Sequence, residues 1–122
     1  MKAYIVEDHE DMRLILKRTL RKKIADIQII GESETAEKAM EDIAALLPQI
    51  VLVDISLPGM DGIEMIRKLR PLYQECFFLV VTGHDVDQYR EEAFKAGANQ
   101  IVSKEDRKEM IEIIDQYRIK GN

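Results

Sequence analysis

The sequence predicts an α/β fold in which a doubly wound, five-stranded parallel sheet has the strand order 2-1-3-4-5. Apolar runs rich in β-branched residues alternate with amphipathic stretches along the whole chain, and five such pairs follow one another. No linker, repeat or low-complexity segment interrupts them. Strands separated by helices favour right-handed crossovers, and therefore a parallel sheet covered on both faces. We predict a single domain over residues 1–122.

The predicted strands are short apolar runs. The first two cover residues 3–6 and 27–30, and the second is expected to stop near Gly31. Residues 50–53 and 77–81 are uninterrupted runs, which predicts central strands buried on both faces. The fifth strand is the short run 100–102.

The first three predicted helices have apolar residues at helical spacing. The first extends from about residue 11 to residue 23, and the second covers residues 36–47 and ends at Pro48. Residues 57–62 have the composition of a turn, and the third helix follows them and ends at Arg70.

The last two helices are also marked by their ends. Asp85 and Gln88 resemble a capping box that opens the fourth helix. Gly97 is suited to end that helix, because glycine readily adopts a left-handed backbone conformation. Apolar residues between 110 and 117 predict the fifth helix.

Composition restricts the class of protein. Hydrophobic residues make up 46% and charged residues 34% of the chain, which suits one core and excludes a disordered chain. The net charge of -5 argues against direct nucleic-acid binding by this domain. Cys76 is the only cysteine and is expected to be buried, so neither an intrachain disulfide nor a cysteine zinc site is predicted. Glu7 and Asp8 interrupt the N-terminus before a signal peptide forms, and no apolar run spans a bilayer, so we expect a cytoplasmic protein without membrane contact.

Polar residues stand where four of the five strands end. They are Glu7 and Asp8 after the first strand, Asp54 after the third, Thr82 after the fourth, and Ser103 and Lys104 after the fifth. The carboxyl ends of parallel strands share one edge of the sheet. These side chains are therefore expected to meet in the crevice between strands 1 and 3, where the strand order reverses.

The chemistry of this group predicts phosphoryl transfer. Three neighbouring carboxylates repel one another unless a cation lies among them, and oxygen ligands of this kind suit Mg²⁺. Asp54 is placed to attack a phosphorus atom and form an acyl phosphate, while Mg²⁺ and Lys104 neutralise the charge of the transferring oxygens. Thr82 offers a hydroxyl group to the bound phosphoryl group. Taken singly, an aspartate such as Asp54 is more often a turn residue than a nucleophile, and acids such as Glu7 and Asp8 are more often helix caps than metal ligands. The prediction of a phosphoryl-transfer site therefore rests on the combination of these residues.

Together with the turn at 57–62, these residues make the chain resemble the receiver domains of bacterial response regulators over essentially its whole length. The resemblance implies a flavodoxin-like or CheY-like three-layer sandwich. It also implies that a sensor histidine kinase or phosphotransfer protein donates a phosphoryl group from phosphohistidine to Asp54. The ion would be Mg²⁺, with Mn²⁺ as an alternative, held by Asp8, Asp54, the backbone carbonyl of Ser56 and, through water, Glu7.

The resemblance further implies a signalling switch and not an enzyme that turns over an external substrate. Thr82 and Lys104 would reorient towards the phosphoryl group and alter the surface of helix 4, strand 5 and helix 5. Residues 26–32 look most like receivers joined to helix-turn-helix output domains. The output is accordingly either a C-terminal DNA-binding domain in the parent chain or a separate protein target.

Two positions depart from the family pattern. Ile101 stands three residues before Lys104, where many receivers have an aromatic switch residue. Glu105 follows Lys104 where many have proline, so we expect a trans peptide bond there.

Some residues leave two interpretations open. His84 either steers a hydrolytic water near the phosphoryl site or is an exposed loop histidine. His9 is expected to act locally at the start of helix 1, with metal ligation as the lesser option. The basic group within residues 17–23 is interpreted as a solvated helix face, with a nucleic-acid patch as the lesser option.

Three other functions are compatible with parts of the pattern. A flavodoxin-like FMN carrier needs a phosphate-binding loop after strand 1, but acidic residues stand there. A haloacid-dehalogenase-type phosphatase places a second aspartate two residues after its nucleophile, where this chain has Ser56. A receiver that has lost its switch would act only as an interaction module, and would fail to take phosphoryl from acetyl phosphate.

Overall fold

A computed structural model describes residues 1–120 as five strands and five helices in strict alternation. The strands are β1 (Lys2–Val6), β2 (Gln28–Ser33), β3 (Ile50–Val53), β4 (Phe77–Thr82) and β5 (Gln100–Ser103). The helices are α1 (Glu10–Lys23), α2 (Ala36–Leu46), α3 (Gly62–Leu69), α4 (Val86–Ala96) and α5 (Arg107–Lys120). All neighbouring strands are parallel and the order is β2-β1-β3-β4-β5, which confirms the predicted fold. The predicted domain boundary at residue 122 lies outside the described residues.

The sheet separates two hydrophobic cores. Alternate strand residues such as Tyr4 and Val51 point into a core beneath α2, α3 and α4. Their neighbours, such as Ile5 and Leu52, point into a second core beneath α1 and α5. Every residue of β3 is buried, as predicted for a central strand. Because helices cover both faces, polar side chains can gather only at the ends of the strands.

Within residues 1–120, no helix is both long enough and apolar enough to cross a bilayer.

The second strand does not stop near Gly31 but continues through it to Ser33, so that part of the prediction is wrong. The pairing with β1 is irregular here, since Ala3 pairs with Ile29 and Tyr4 with Gly31. A Cβ atom at Gly31 would lie 2.8 Å from Cε2 of Tyr4. Glycine is therefore present because the ring of Tyr4 crosses the strand closely, and not because the strand ends.

The fourth helix begins as predicted, but the capping box does not form in the expected way. The Asp85 carboxylate accepts a hydrogen bond from the backbone N–H of Asp87 at 3.0 Å. The N–H of Gln88 instead donates to the backbone oxygen of Asp85 at 3.1 Å. Gly97 ends the helix with a φ of 116°, as predicted.

Cys76 is buried, as expected, with 7% of its surface exposed. Burial raises the pKa of its thiol to about 12, so the side chain behaves as a small apolar residue at neutral pH.

Candidate functional site

The strand register brings the predicted site residues to one edge. Val53 pairs with Val6 on one side and with Val80 on the other, so Asp54 lies just beyond the centre of the sheet. The backbone N–H of Asp54 donates to the Val6 oxygen at 3.0 Å, and that of Lys104 donates to the Thr82 oxygen at 2.8 Å. The ends of β1, β3, β4 and β5 therefore meet as the sequence predicts.

Lys104 joins two of the acids directly. Its Nζ atom donates a hydrogen bond to Oδ2 of Asp54 at 3.0 Å and lies 2.6 Å from Oε1 of Glu7. The exposed fractions of the three side chains are 15% for Lys104, 5% for Asp54 and 1% for Glu7. The three charged groups thus form a largely buried cluster in which interactions are stronger than at a surface.

The charges in this cluster do not balance. Burial raises the pKa of Glu7 above its usual value, and the negative charge of Asp54 and the carboxyl of Asp8 add to the effect. Burial works against the charged form of Lys104, but the attraction of Glu7 and Asp54 outweighs it and raises the pKa of that amine. One ammonium group therefore faces more negative charge than it neutralises.

The acidic residues fit a hard divalent cation. Oε1 of Glu7 and Oδ1 of Asp8 are buried, and neither oxygen has a hydrogen bond of good geometry among the described residues. Glu7, Asp8 and His9 each offer a ligand atom, and these atoms lie within 4.8 Å of one another. Buried carboxylate oxygens with spare lone pairs and an excess of negative charge are what Mg²⁺ requires.

His9 lies beside the two acids at the start of α1. Its side chain is 71% exposed, and Nδ1 lies 3.2 Å from Oε2 of Glu7 and 3.1 Å from Oδ1 of Asp8. His9 is also the N-cap residue of α1, where no side chain caps the first turn. Oε2 of Glu7 accepts a hydrogen bond from the backbone N–H of His9 at 3.2 Å, so this carboxylate bonds the N-cap residue and not the first turn of α1.

A second group of polar side chains joins the loops after β3 and β4. Thr82 is fully buried, and its hydroxyl oxygen accepts a hydrogen bond from the N–H of His84 at 3.0 Å. Nε2 of His84 lies 2.6 Å from Oγ of Ser56. The structure thus brings His84 to the loop that follows Asp54.

The peptide bond between Lys104 and Glu105 is trans, as expected, since the described residues contain no cis bond.

Arg13 supports the site and was not singled out from the sequence. Its side chain is buried, and NH1 donates to the backbone oxygen of Glu7 at 2.7 Å while Nε donates to Glu32 at 2.7 Å. In sequence it is one of several cations on an amphipathic helix. No local signal distinguishes it, because its partner is a backbone atom of another element.

Gly62 also supports the site. A Cβ atom there would lie 2.0 Å from the backbone oxygen of Asp54 and 2.9 Å from Cγ2 of Val53. Only glycine lets α3 begin this close to the end of β3. The sequence marks Gly62 as a turn residue, but the need for close approach depends on tertiary structure.

The chain is similar to proteins of two-component signalling. The family model "Response regulator receiver domain" matches residues 3–115. The DNA-binding transcriptional activator EvgA of Escherichia coli strain K12 is 30% identical over 106 residues, which are 87% of this chain and 51% of EvgA. The transcriptional regulatory protein DegU of Brevibacillus brevis is 31% identical over 101 residues, which are 83% of this chain and 42% of DegU.

A solved structure agrees with this similarity. A LuxR-family two-component response regulator from Aurantimonas sp. SI85-9A1 superposes with a TM-score of 0.87 and 29% identity, covering 94% of this chain and 82% of that one. The chain spans about half the length of the two curated relatives. The name of EvgA agrees with the resemblance to receivers of DNA-binding regulators. The match over residues 3–115 establishes that this chain belongs to the response regulator receiver domain family.

Proposed function

We propose that this receiver is a phosphorylation-dependent switch. Asp54 accepts a phosphoryl group from the phosphohistidine of a sensor histidine kinase or phosphotransfer protein, with Mg²⁺ or alternatively Mn²⁺ bound. The observation that carries the proposal is the buried contact of Lys104 with both Asp54 and Glu7. A buried lysine that leaves negative charge uncompensated is costly for a purely structural site, but it suits a site that receives a metal and a phosphoryl group.

The proposed reaction needs little from the protein beyond position and charge. A carboxylate oxygen of Asp54 bonds to phosphorus while the bond from phosphorus to the donor nitrogen breaks and its electron pair returns to the imidazole. The ammonium of Lys104, already at Asp54, stabilises the negative oxygens during transfer. An ion held by Asp8, Asp54, the backbone carbonyl of Ser56 and, through water, Glu7 would add positive charge beside those oxygens.

The proposed switch uses the connection between β4 and β5. Thr82 turns its hydroxyl towards the phosphoryl group, and Lys104 follows the new charge. Thr82 ends β4 and Lys104 follows the neighbouring β5, and a backbone hydrogen bond joins the two residues. We infer that their movement alters the surface of α4, β5 and α5. Ile101 is 2% exposed and packs in the core, so this change proceeds without rotation of an aromatic side chain at that position.

The output of the switch is proposed from the relatives. EvgA is described as a DNA-binding transcriptional activator and spans about twice the matched length. We propose that this receiver controls either a C-terminal DNA-binding domain of its parent chain or a separate protein target, in the cytoplasm. The domain itself is not proposed to bind nucleic acid or membrane.

Intact-protein mass spectrometry tests the acceptor. Incubation with acetyl phosphate and Mg²⁺ should add one phosphoryl group, and chelation of the metal should prevent it. Asp54→Asn should abolish the addition, whereas Asp87→Asn, a change at an exposed aspartate of α4, should leave it intact. Equal modification of the Asp54→Asn variant and the wild type would exclude Asp54 as acceptor. Absence of modification in the wild type would favour a receiver that acts only as an interaction module.

A second variant tests the switch separately from the transfer. Lys104→Ala should retain some phosphorylation but lose the conformational response, because the cation that follows the phosphoryl charge is gone. Hydrogen exchange of α4 and β5, with and without acetyl phosphate, measures that response. A full response in Lys104→Ala would overturn the proposed role of this lysine.

A further inference from the structure

A basic groove separates α1 from α5, on the side of the sheet that these two helices cover. Its volume is about 510 Å³. The groove is lined by Thr19, Lys22, Lys23, Arg107, Lys108, Ile111 and Glu112.

The cations of this groove come from two helices that are distant in sequence. Lys22 and Lys23 end α1, and Arg107 and Lys108 begin α5. All four side chains are exposed, and no acidic group of residues 1–120 lies within ion-pair distance of any of them. In the sequence, only the α1 part stands out as a run of cations. The fold adds the α5 part and concentrates positive charge in a chain whose net charge is -5.

The groove also has an apolar floor. Ile111 is half-buried between the two helices, and it packs against the core that they cover. The aliphatic stems of lysine and arginine extend such a surface while their charged ends stay in water. An occupant that combines an apolar side chain with carboxylates would therefore be complementary to both features.

The surroundings distinguish a short acidic peptide from a long polyanion. Glu105 and Asp106 immediately precede Arg107, Glu109 follows Lys108, and Glu112 lies within the groove; all four acids are exposed. A nucleic-acid backbone that continued beyond the groove would meet these acids, whereas a short segment ends before it reaches most of them. The confined positive charge thus favours a peptide.

We propose that the groove between α1 and α5 docks a short acidic segment of a partner protein. An apolar side chain of the segment packs on Ile111, and its carboxylates pair with the cations at the two rims. This docking is independent of the chemistry at Asp54, so Asp54→Asn should retain it.

Fluorescence anisotropy with labelled peptides tests the proposal. The probes are short peptides in which glutamate and aspartate surround a single leucine or phenylalanine, and matched peptides carry lysine in place of every acid. Lys22→Glu combined with Lys108→Glu should weaken binding of the acidic peptides about tenfold, because two attractions become repulsions. The control combines Lys2→Glu with Lys68→Glu, two exposed lysines outside the groove, and makes the same change in net charge. Its affinity should stay close to that of the wild type.

Any of the following outcomes would overturn the proposal. Absence of saturable binding by any acidic peptide would do so, as would equal losses in the groove variant and the control. A short DNA duplex that binds the wild type as tightly as the best peptide, and is lost in the groove variant, would identify a nucleic-acid surface instead. If no peptide binds, and sedimentation shows that only the groove variant changes the self-association of the chain, the occupant would be a second copy of the chain.

Discussion

Replacing Lys104 with methionine tests the charge imbalance at the site. The substitution keeps a long apolar side chain but removes the ammonium that contacts Glu7 and Asp54 at 2.6 and 3.0 Å. Breaking a buried ion pair by removing one partner typically costs about 3–5 kcal/mol, since the remaining charge is left uncompensated. Lys104 is 15% exposed, which favours the lower end of that range. We expect the free energy of unfolding at pH 7 to fall by about 3 kcal/mol in the absence of divalent metal.

The loss of stability in Lys104→Met should depend on pH, and protonation of the carboxylates sets the direction of that dependence. Burial already raises the pKa of Glu7 in the folded protein, and loss of the lysine would raise it further, so the folded state would bind more protons than the unfolded state. The deficit of Lys104→Met should therefore be small near pH 4 and grow as the pH rises above the ordinary carboxyl pKa of about 4. In the wild type, the raised pKa of Lys104 means that its contribution is complete below the unfolded pKa of about 10.4 and is lost only as the pH rises above it.

Urea unfolding followed by circular dichroism measures these differences, since the chain has no tryptophan. Added Mg²⁺ should recover part of the deficit, because the cation replaces some of the missing positive charge and binds only the folded state. Lys68→Met, at an exposed lysine of α3, is the control and should change stability by less than about 0.5 kcal/mol. A deficit below about 1 kcal/mol at pH 7, or one that is equal at pH 4 and pH 7, would refute the reasoning.

Three further substitutions test other contacts. Gly62→Ala should destabilise the protein by about 3 kcal/mol in urea unfolding, because its Cβ would overlap the backbone oxygen of Asp54; an unchanged midpoint would contradict the close approach. Arg70→Met should lower the free energy of unfolding by about 2 kcal/mol, because the backbone oxygens of the loops after α3 and α4 accept hydrogen bonds from Arg70. It should also speed hydrogen exchange in those loops, and unaltered exchange would show that the hydrogen bonds are dispensable. His84→Ala removes the 2.6 Å contact with Ser56 and should change the decay rate of the phosphorylated protein, followed by mass spectrometry, whereas an equal rate would leave His84 as an exposed loop residue.

The fold could be predicted from the sequence because the residue patterns that indicate strands and helices are local and recur along the chain. The uninterrupted run that became β3 and the alternation of strand and helix patterns are enough to select a parallel sheet. Gly31 was misread because glycine ends strands and also allows close packing inside them. Only the position of the Tyr4 ring distinguishes these cases.

The site was accessible for a different reason, which is that parallel strands end at one edge. That rule places Asp54 and Lys104 together without any knowledge of side-chain contacts. It does not identify Arg13 or Gly62, since both act on backbone oxygens that only tertiary structure brings near. Nor does it show that Lys104 contacts Glu7 more closely than Asp54.

The same register that assembles the site also connects it to the rest of the sheet. The N–H of Lys104 bonds to the backbone oxygen of Thr82, so the residues proposed to sense the phosphoryl group are held by adjacent strands. Phosphorylation of Asp54 would replace one carboxylate charge with a phosphoryl group that bears more negative charge, and would draw Lys104 away from Glu7. Glu7 is buried and cannot follow, so loss of its closest cation would increase the demand for metal at the acidic pair. The proposed switch thus depends on a lysine that two buried acids share, and removal of Glu7, the acid that is not the phosphoacceptor, should weaken the response more than removal of a surface charge.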